Sequence, residues 1–333
     1  MQVVVFGAGA IGSLIGARLH GAGYSVRLVG RAAHVEAIRE KGLLVRGRDE
    51  SHLVRLTATT TLDGTADVIL LTVKSQDVSE ATREIARLHS NATVVTMQNG
   101  VRSDRDAADI LGRDRIVGCV MNISATYLEP GVVEQNTGAR LQLGAPFPES
   151  TARVASVVEL LRNAARTEVV PDIARSRWTK LMANLNNAIM TITGLPIGKA
   201  LRHKGLARLA VATIREGVKT AQRGGHRLDQ SGRARTFRLM ALLPGRISAL
   251  VFAGRLAGSF PPDSVFGPST LQSLRRGSTS ELDYLNGEIV AVGERIGRLT
   301  PYNSGLLQQG RQVFATHRYL MPEELLREIR ALN

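Results

Sequence analysis

One cysteine, one tryptophan and an aromatic content of 4% leave this 333-residue chain little material for disulfide, thiolate-metal or aromatic-stacking chemistry. A lone Cys119 cannot form an intramolecular disulfide or a cysteine-rich zinc site, which agrees with a reducing compartment. Its simplest role is a small apolar residue buried in a strand. The seven histidines fall in no metal-ligand spacing, and none pairs with an acid in a catalytic motif, so no metal is expected. No run of about 18 apolar residues occurs, and the chain opens on a strand without the basic segment and apolar stretch of a signal peptide. Both point to a soluble cytoplasmic protein without membrane association.

Acidic residues are scarce in the second half. Residues 1–172 hold 19 basic and 19 acidic side chains, leaving 24 basic against 10 acidic in residues 173–333, so the whole formal charge of +14 resides there. Such a field attracts anionic substrates or cofactors, or nucleic acid without sequence preference. The cations (Arg202, Lys204, Arg208, Arg223, Arg227, Arg233, Arg235 and Arg238 among them) are spread over helix-like segments with no interleaved aromatics. A solvated basic face is therefore expected, and no nucleic acid. A non-enzymatic NADP-binding or nucleic-acid-binding protein stands as the alternative of another class.

The N-terminus carries the most specific signal. Val3-Val4-Val5-Phe6 runs into Gly7-Ala8-Gly9-Ala10-Ile11-Gly12, an apolar strand followed by a glycine-rich turn and an apolar-periodic run (Ile11, Leu14, Ile15, Leu19). Gly7 permits the tight turn, Gly9 lets the backbone approach a pyrophosphate, and Gly12 lets the next helix pack on its strand. That helix, residues 10–22, aims its N-terminal amides at the phosphates. The next strand, Ser25–Val29, ends at Gly30-Arg31, where a NAD-binding chain would carry an acid for the ribose 2′-hydroxyl. A guanidinium there matches a 2′-phosphate instead, which points to NADPH/NADP+; an exposed arginine opening a loop is the plainer reading.

Alternating strands and helices up to about residue 145 (strands at 68–73, 93–97 and 116–120, a helix at 77–88) predict a mostly parallel sheet covered on both faces. A hairpin is expected at 42–56 and further strands at 122–143, turning at Glu129-Pro130-Gly131. Long amphipathic helices follow at 173–193, 206–222, 280–296 and 302–315, and the 224–268 stretch reads as helical segments joined by a loop. The predicted fold class is α/β: a Rossmann-type dinucleotide-binding domain, residues 1–172, with an all-helical domain, residues 173–333.

Ligands of open parallel sheets collect at the carboxyl ends of strands, which singles out Lys74 after 68–73 and Asn99 after 94–98. Either also fits an ordinary loop. In the helical half, Lys180 and Asn184 are four apart and share a helix face. Trp178, Leu181, Met182, Leu185 and Ile189 around them offer the partial burial that makes a lysine a better acid. A solvated pair is the plainer reading. Ser278 and Glu281 resemble a capping box, and Asp283 suits a first helical turn.

In order, the glycine turn with Arg31, Val73-Lys74, Gln98-Asn99-Gly100, Pro130-Gly131-Val132-Val133, Trp178-x-Lys180-Leu181-x-x-Asn184, Ser269-Thr270-Leu271 and Glu281-Leu282-Asp283-Tyr284-Leu285-Asn286-Gly287 resemble the ketopantoate reductase family across nearly the whole chain. The resemblance implies an NADPH-dependent Rossmann domain joined to a helical domain, and reduction of a small 2-oxo acid, ketopantoate, to pantoate in the cleft between them. It implies Lys180 as general acid. Asn99, Lys180, Asn184, Ser269 and Glu281 are implied at the substrate. Gly7, Ala8, Gly9, Ala10, Ile11, Gly12, Arg31, Lys74, Gln98, Asn99 and Glu281 are implied at the cofactor. Homodimerisation is left open. The family often carries a second substrate asparagine four residues after the position of Asn184, where this chain has Ala188. Either the helix bends to recruit Asn187, or the pocket takes a different 2-oxo acid.

Overall fold

A computed structural model describes residues 1–47, 50–88, 91–258, 268–277 and 279–331. It resolves into two compact units, Met1–Ser176 and Arg177–Asn333.

The first unit is built on strands β1 (Gln2–Phe6), β2 (Ser25–Val29), β3 (Leu43–Arg46), β4 (Ser51–Val54), β5 (Thr57–Thr59), β6 (Val68–Leu71), β7 (Thr93–Thr96), β8 (Ile116–Asn122), β9 (Ala125–Glu129), β10 (Val132–Gln135), β11 (Arg140–Gly144) and β12 (Arg166–Val169). Eight strands form one sheet in the order β12-β11-β8-β7-β6-β1-β2-β5, parallel except where β11 runs against β8. Continuous apolar runs such as Val68-Ile69-Leu70-Leu71 are buried on both faces, as a parallel strand under helices on either side requires. Those helices are α1 (Ala10–Gly21), α2 (Ala32–Lys41), α3 (Val78–Arg87), α4 (Ser103–Leu111) and α5 (Thr151–Arg162). The chain winds outward from β1 to β2 and β5, then returns to β6 on the other side of β1. This reversal makes the carboxyl ends of β1 and β6 the topological switch point.

The expected hairpin is β3-β4, and with β9 and β10 it completes a second sheet in the order β4-β3-β10-β9. His34 of α2 fastens this sheet to α1. Its Nδ1 accepts from the Gly131 amide at 2.9 Å and its Nε2 lies 2.9 Å from Ser13 Oγ. Burial lowers the imidazole to about 4. The unfolded chain therefore takes up this proton first as pH falls. Stability is complete above the ordinary histidine value of 6.5 and is lost between pH 6.5 and 4, by about 3 kcal/mol. Urea unfolding across this window is expected to show that loss and a flatter profile for His34→Gln.

The second unit is helical, as expected. Helix α6 (Ile173–Asn184) leads into it, followed by α7 (Asn187–Thr193), α8 (Ile197–Arg202), α9 (Lys204–Arg223), α10 (Gly232–Leu242), α11 (Gly245–Gly258), α12 (Ser269–Arg275), α13 (Asn286–Arg295), α14 (Pro301–Thr316) and α15 (Pro322–Ala331). The core joins Ile189, Ile192, Leu206, Leu271, Leu306 and Ile329 with their neighbours. Two expectations are corrected. The single helix at 173–193 is broken at Leu185-Asn186, and the helix at 280–296 is a 3-10 turn (Leu282–Tyr284) followed by α13. The two breaks meet, since the amide of Asn286, at the start of α13, donates to the Leu185 carbonyl left over at the end of α6. Within 224–268, the described part is α10 and α11. Ser259, Phe260, Pro261 and Pro262 lie outside the described residues, as does Ser278 of the expected capping box.

Candidate functional site

In the first unit the predicted cofactor residues gather at the switch point. Gly7 has φ +114°, and a Cβ there would lie 2.4 Å from the Val73 amide nitrogen. At Gly12 a Cβ would lie 2.4 Å from the Gly7 carbonyl. Both positions demand glycine, one for conformation and contact, the other for helix-strand proximity. Gly9 differs: nothing lies within 4 Å of where its Cβ would be. The space is open above the turn, as close approach of a pyrophosphate requires. The turn is held by the Gly7 and Ala8 amides, which donate to the Val29 carbonyl at 3.0 and 2.8 Å, and by Thr72 Oγ1, which donates to the Gly7 carbonyl at 2.8 Å. Ala10 and Ile11 open α1, whose first-turn amides carry the partial positive charge that suits phosphate.

Gly30 packs against Ala8, where a Cβ would lie 2.8 Å from Ala8 Cβ, so the next residue, Arg31, emerges beside the turn. It is exposed and caps α2. Burial raises the Asp77 carboxyl above the usual aspartate range, and the cations of Arg31 and Lys74 pull it back. Both cations therefore share one electrostatic neighbourhood. Ser75 Oγ donates to the Asn99 carbonyl at 2.9 Å, joining the loops that carry Lys74 and Asn99. Gln98 is buried, and its amide donates to the Leu71 and Val73 carbonyls at 2.7 and 3.1 Å, clipping the end of β7 to the loop after β6. The glycine turn, Arg31, Lys74, Gln98 and Asn99 thus come together. The turn fits a dinucleotide.

In the second unit, Lys180 and Asn184 are half-buried on α6, while Trp178, Leu181, Met182 and Leu185 are buried. The Trp178 ring stacks on His226 at 4.2 Å between centroids, and Thr179 Oγ1 accepts from the Asp229 amide at 3.0 Å. Gly217 of α9 provides the room for Leu185, whose Cδ1 would lie 2.5 Å from a Cβ at that position. Buried Trp178, Leu181, Met182 and Leu185 thus anchor one face of the helix, and Lys180 and Asn184 stand half-buried beside it. Ser269 is exposed at the start of α12, and Glu281 is buried just before the 3-10 turn. Asp283 pairs with Arg311 at the surface.

The break after Asn184 is built by residues that sequence reading left without a role. Asn286 Nδ2 donates to the Leu185 carbonyl at 3.1 Å and to Asn303 Oδ1 at 3.0 Å. Asn303 Nδ2 in turn donates to Glu216 Oε1 at 2.8 Å. The Glu216 carboxylate also accepts the Tyr302 and Asn303 amides at the start of α14, at 3.2 and 2.8 Å. Burial raises Glu216 above the usual glutamate range, and these hydrogen bonds oppose the shift. The sequence signal was a polar residue on the apolar face of each helix: Glu216 beside Leu209 and Thr213 of α9, Asn286 beside Ile289 of α13, and Asn303 beside Leu306 and Leu307 of α14. Ala188 is fully buried in α7. Asn186 is also buried, and its Oδ1 has no hydrogen-bond partner among the described residues.

Asn286→Leu is expected to strand the Leu185 carbonyl and Asn303. Such losses cost about 1–3 kcal/mol each, to be read from urea unfolding.

Residues 3–146 match the family "Ketopantoate reductase PanE/ApbA" and residues 172–313 match "Ketopantoate reductase PanE/ApbA C terminal". The chain belongs to the ketopantoate reductase family. A 2-dehydropantoate 2-reductase of Pyrococcus horikoshii is 30% identical over 307 residues, covering 91% of this chain and 94% of that one. One from Mesorhizobium japonicum is 30% identical over 327 residues, covering 90% and 94%. The crystal structure of a PanE/ApbA family ketopantoate reductase from Ralstonia eutropha JMP134 superimposes with a TM-score of 0.80 at 28% identity, over 95% of this chain and 99% of that one. A D-mandelate dehydrogenase bound to NADH and anilino(oxo)acetate shares the fold, with a TM-score of 0.83 at 21% identity over 95% and 99%. As a ketopantoate reductase family member the chain is an oxidoreductase of the 2-dehydropantoate 2-reductase type, working with a nicotinamide cofactor. No helix among the described residues is long and apolar enough to cross a membrane.

Proposed function

We propose that this chain reduces ketopantoate to pantoate with NADPH, residues 1–172 holding the cofactor and residues 173–333 the substrate. The observation that carries this reading is the half-buried Lys180 and Asn184 pair on a helix held by buried Trp178, Leu181 and Met182, in a family member. Gly7 to Gly12 and the start of α1 would hold the pyrophosphate. Arg31 would hold the 2′-phosphate through a planar fork of donors, with Lys74 adding positive charge beside it. When bound, the nicotinamide supplies a hydride to the ketone carbon. Lys180 Nζ donates a hydrogen bond to the ketone oxygen, stabilises the negative charge that grows there and gives up its proton to form the alcohol. Asn184, one turn away, holds the substrate, Ser269 and Asn99 add polar contacts, and Glu281 accepts from the substrate hydroxyl. The single buried cysteine suits a cytoplasmic setting.

Ala188 supports a second reading, a reductase of another 2-oxo acid, because a buried methyl group stands where the family often has a substrate-binding amide. The helix does break before Asn187, which is half-buried at the start of α7, and next to it Asn186 holds a buried acceptor. Steady-state comparison of kcat/KM for a series of 2-oxo acids, with NADPH and with NADH, separates the readings. Ketopantoate with NADPH is expected to rank first. Turnover of other 2-oxo acids without ketopantoate would favour the second reading, and no turnover of any would overturn both.

A further inference from the structure

Most of the cations singled out in the second half are exposed, but a set that includes Arg208 gathers around one concavity. Helix α9 carries Arg208, Arg215 and Lys219 at spacings of seven and four, which places them on one stripe. That stripe lines a cavity of about 490 Å³, together with Arg246 in the first turn of α11, Arg298 just before α14, and Arg330 near the end of α15. Six cations from four segments converge on one concavity of ligand size.

None of the six forms an ion pair with a carboxylate among the described residues. The one acid in the lining, Glu216, is committed to Tyr302 and Asn303. Arg215 is fixed rather than free to swing away: Nε and Nη2 both donate to the Leu243 carbonyl, at 3.1 and 2.9 Å. Arg298 is steadied by Thr220 Oγ1 at 3.2 Å. The start of α11, a 14-residue helix, adds its partial positive charge on the same side. Like charges so held repel one another, and Lys219 records it: burial lowers its ammonium, and Arg215 and Arg223 lower it further. Between the cations the walls are apolar, with Leu209, Ala212, Ala249 and Leu326. Guanidinium groups pre-set over an apolar-walled concavity set this site apart from a merely solvated basic surface.

We propose that this cavity is a binding site for a small oligophosphate anion, distinct from the dinucleotide turn of the first unit. Six cations around one concavity match two or three linked phosphates, and its size of about 490 Å³ suits a compact anion better than a nucleic-acid strand. The proposal does not depend on which 2-oxo acid the enzyme reduces.

The test is calorimetric titration of inorganic tripolyphosphate into the full-length protein saturated with NADP+, comparing wild type with Arg208→Glu/Arg246→Glu and with Arg31→Asp. Both residues of the double variant are exposed, and thermal unfolding checks that it is folded. One tripolyphosphate per chain is expected for wild type. Loss of charge-assisted hydrogen bonds is expected to weaken binding at least about tenfold in the double variant, and not at all in Arg31→Asp. Absence of saturable binding, equal affinity in the double variant, or loss in Arg31→Asp would overturn the proposal. So would tighter binding of a single-stranded RNA oligonucleotide through the same arginines, which would assign the surface to nucleic acid.

Discussion

Lys180→Ala is expected to lower kcat for ketopantoate and NADPH by about two to four orders of magnitude, the range that a positioned general acid contributes. NADPH affinity, measured by fluorescence titration, is expected to be unchanged, since the dinucleotide turn is elsewhere in the chain. The packing of α6 makes the experiment clean. Trp178, Leu181, Met182 and Leu185 hold the helix through the buried side, and Lys180 is half-exposed, so truncation removes an ammonium without opening a core cavity. Lys180→Arg is expected to restore little, because a guanidinium keeps its charge but is far too weak an acid to release a proton near neutral pH. Near-normal turnover in Lys180→Ala would remove this residue from the chemistry.

Arg31→Asp is expected to reduce kcat/KM for NADPH by about 100-fold or more while leaving that for NADH little changed. A bidentate pair with a 2′-phosphate comprises two charge-assisted hydrogen bonds of about 1.5–3 kcal/mol each, and a carboxylate in its place adds repulsion. Asp77 strengthens the expectation. Its carboxyl already lies in the field of Arg31 and Lys74, so the substitution would turn two cations around one carboxylate into one cation beside two carboxylates. Equal losses with both cofactors would contradict the 2′-phosphate role and leave Arg31 as a cap of α2.

The nucleotide-binding half was legible because its signals are local. Four consecutive apolar residues, three glycines and an arginine after the second strand each carry a physical constraint that survives without knowledge of the rest. Strands β5 and β12 were not legible: Thr57-Ala58-Thr59 and Arg166-Thr167-Glu168-Val169 are short and mostly polar, as sheet edges are. The interruption of α6 was missed for another reason. Every residue from 173 to 193 is compatible with a helix, and what ends the helix is Asn286, 101 positions away from the carbonyl it holds. Helix α15 went unread because only Leu325 and Ile329 of its ten residues are buried. The basic cavity needed the fold as well, since Arg208 and Arg330 are ordinary surface arginines until α9 and α15 are set side by side.

The chain of hydrogen bonds from Glu216 through Asn303 and Asn286 to Leu185 has a consequence for how such sequences drift. Each amide serves two neighbours at once, so replacing any one leaves the next with a group it cannot satisfy. These positions form one heritable unit: they are expected to vary jointly among relatives or not at all. Ser269, exposed at the start of α12, lies outside that chain. Transplanting the Lys180 and Asn184 helix into another helical scaffold would therefore also require Asn286, Asn303 and Glu216, the three residues that hold the break after it.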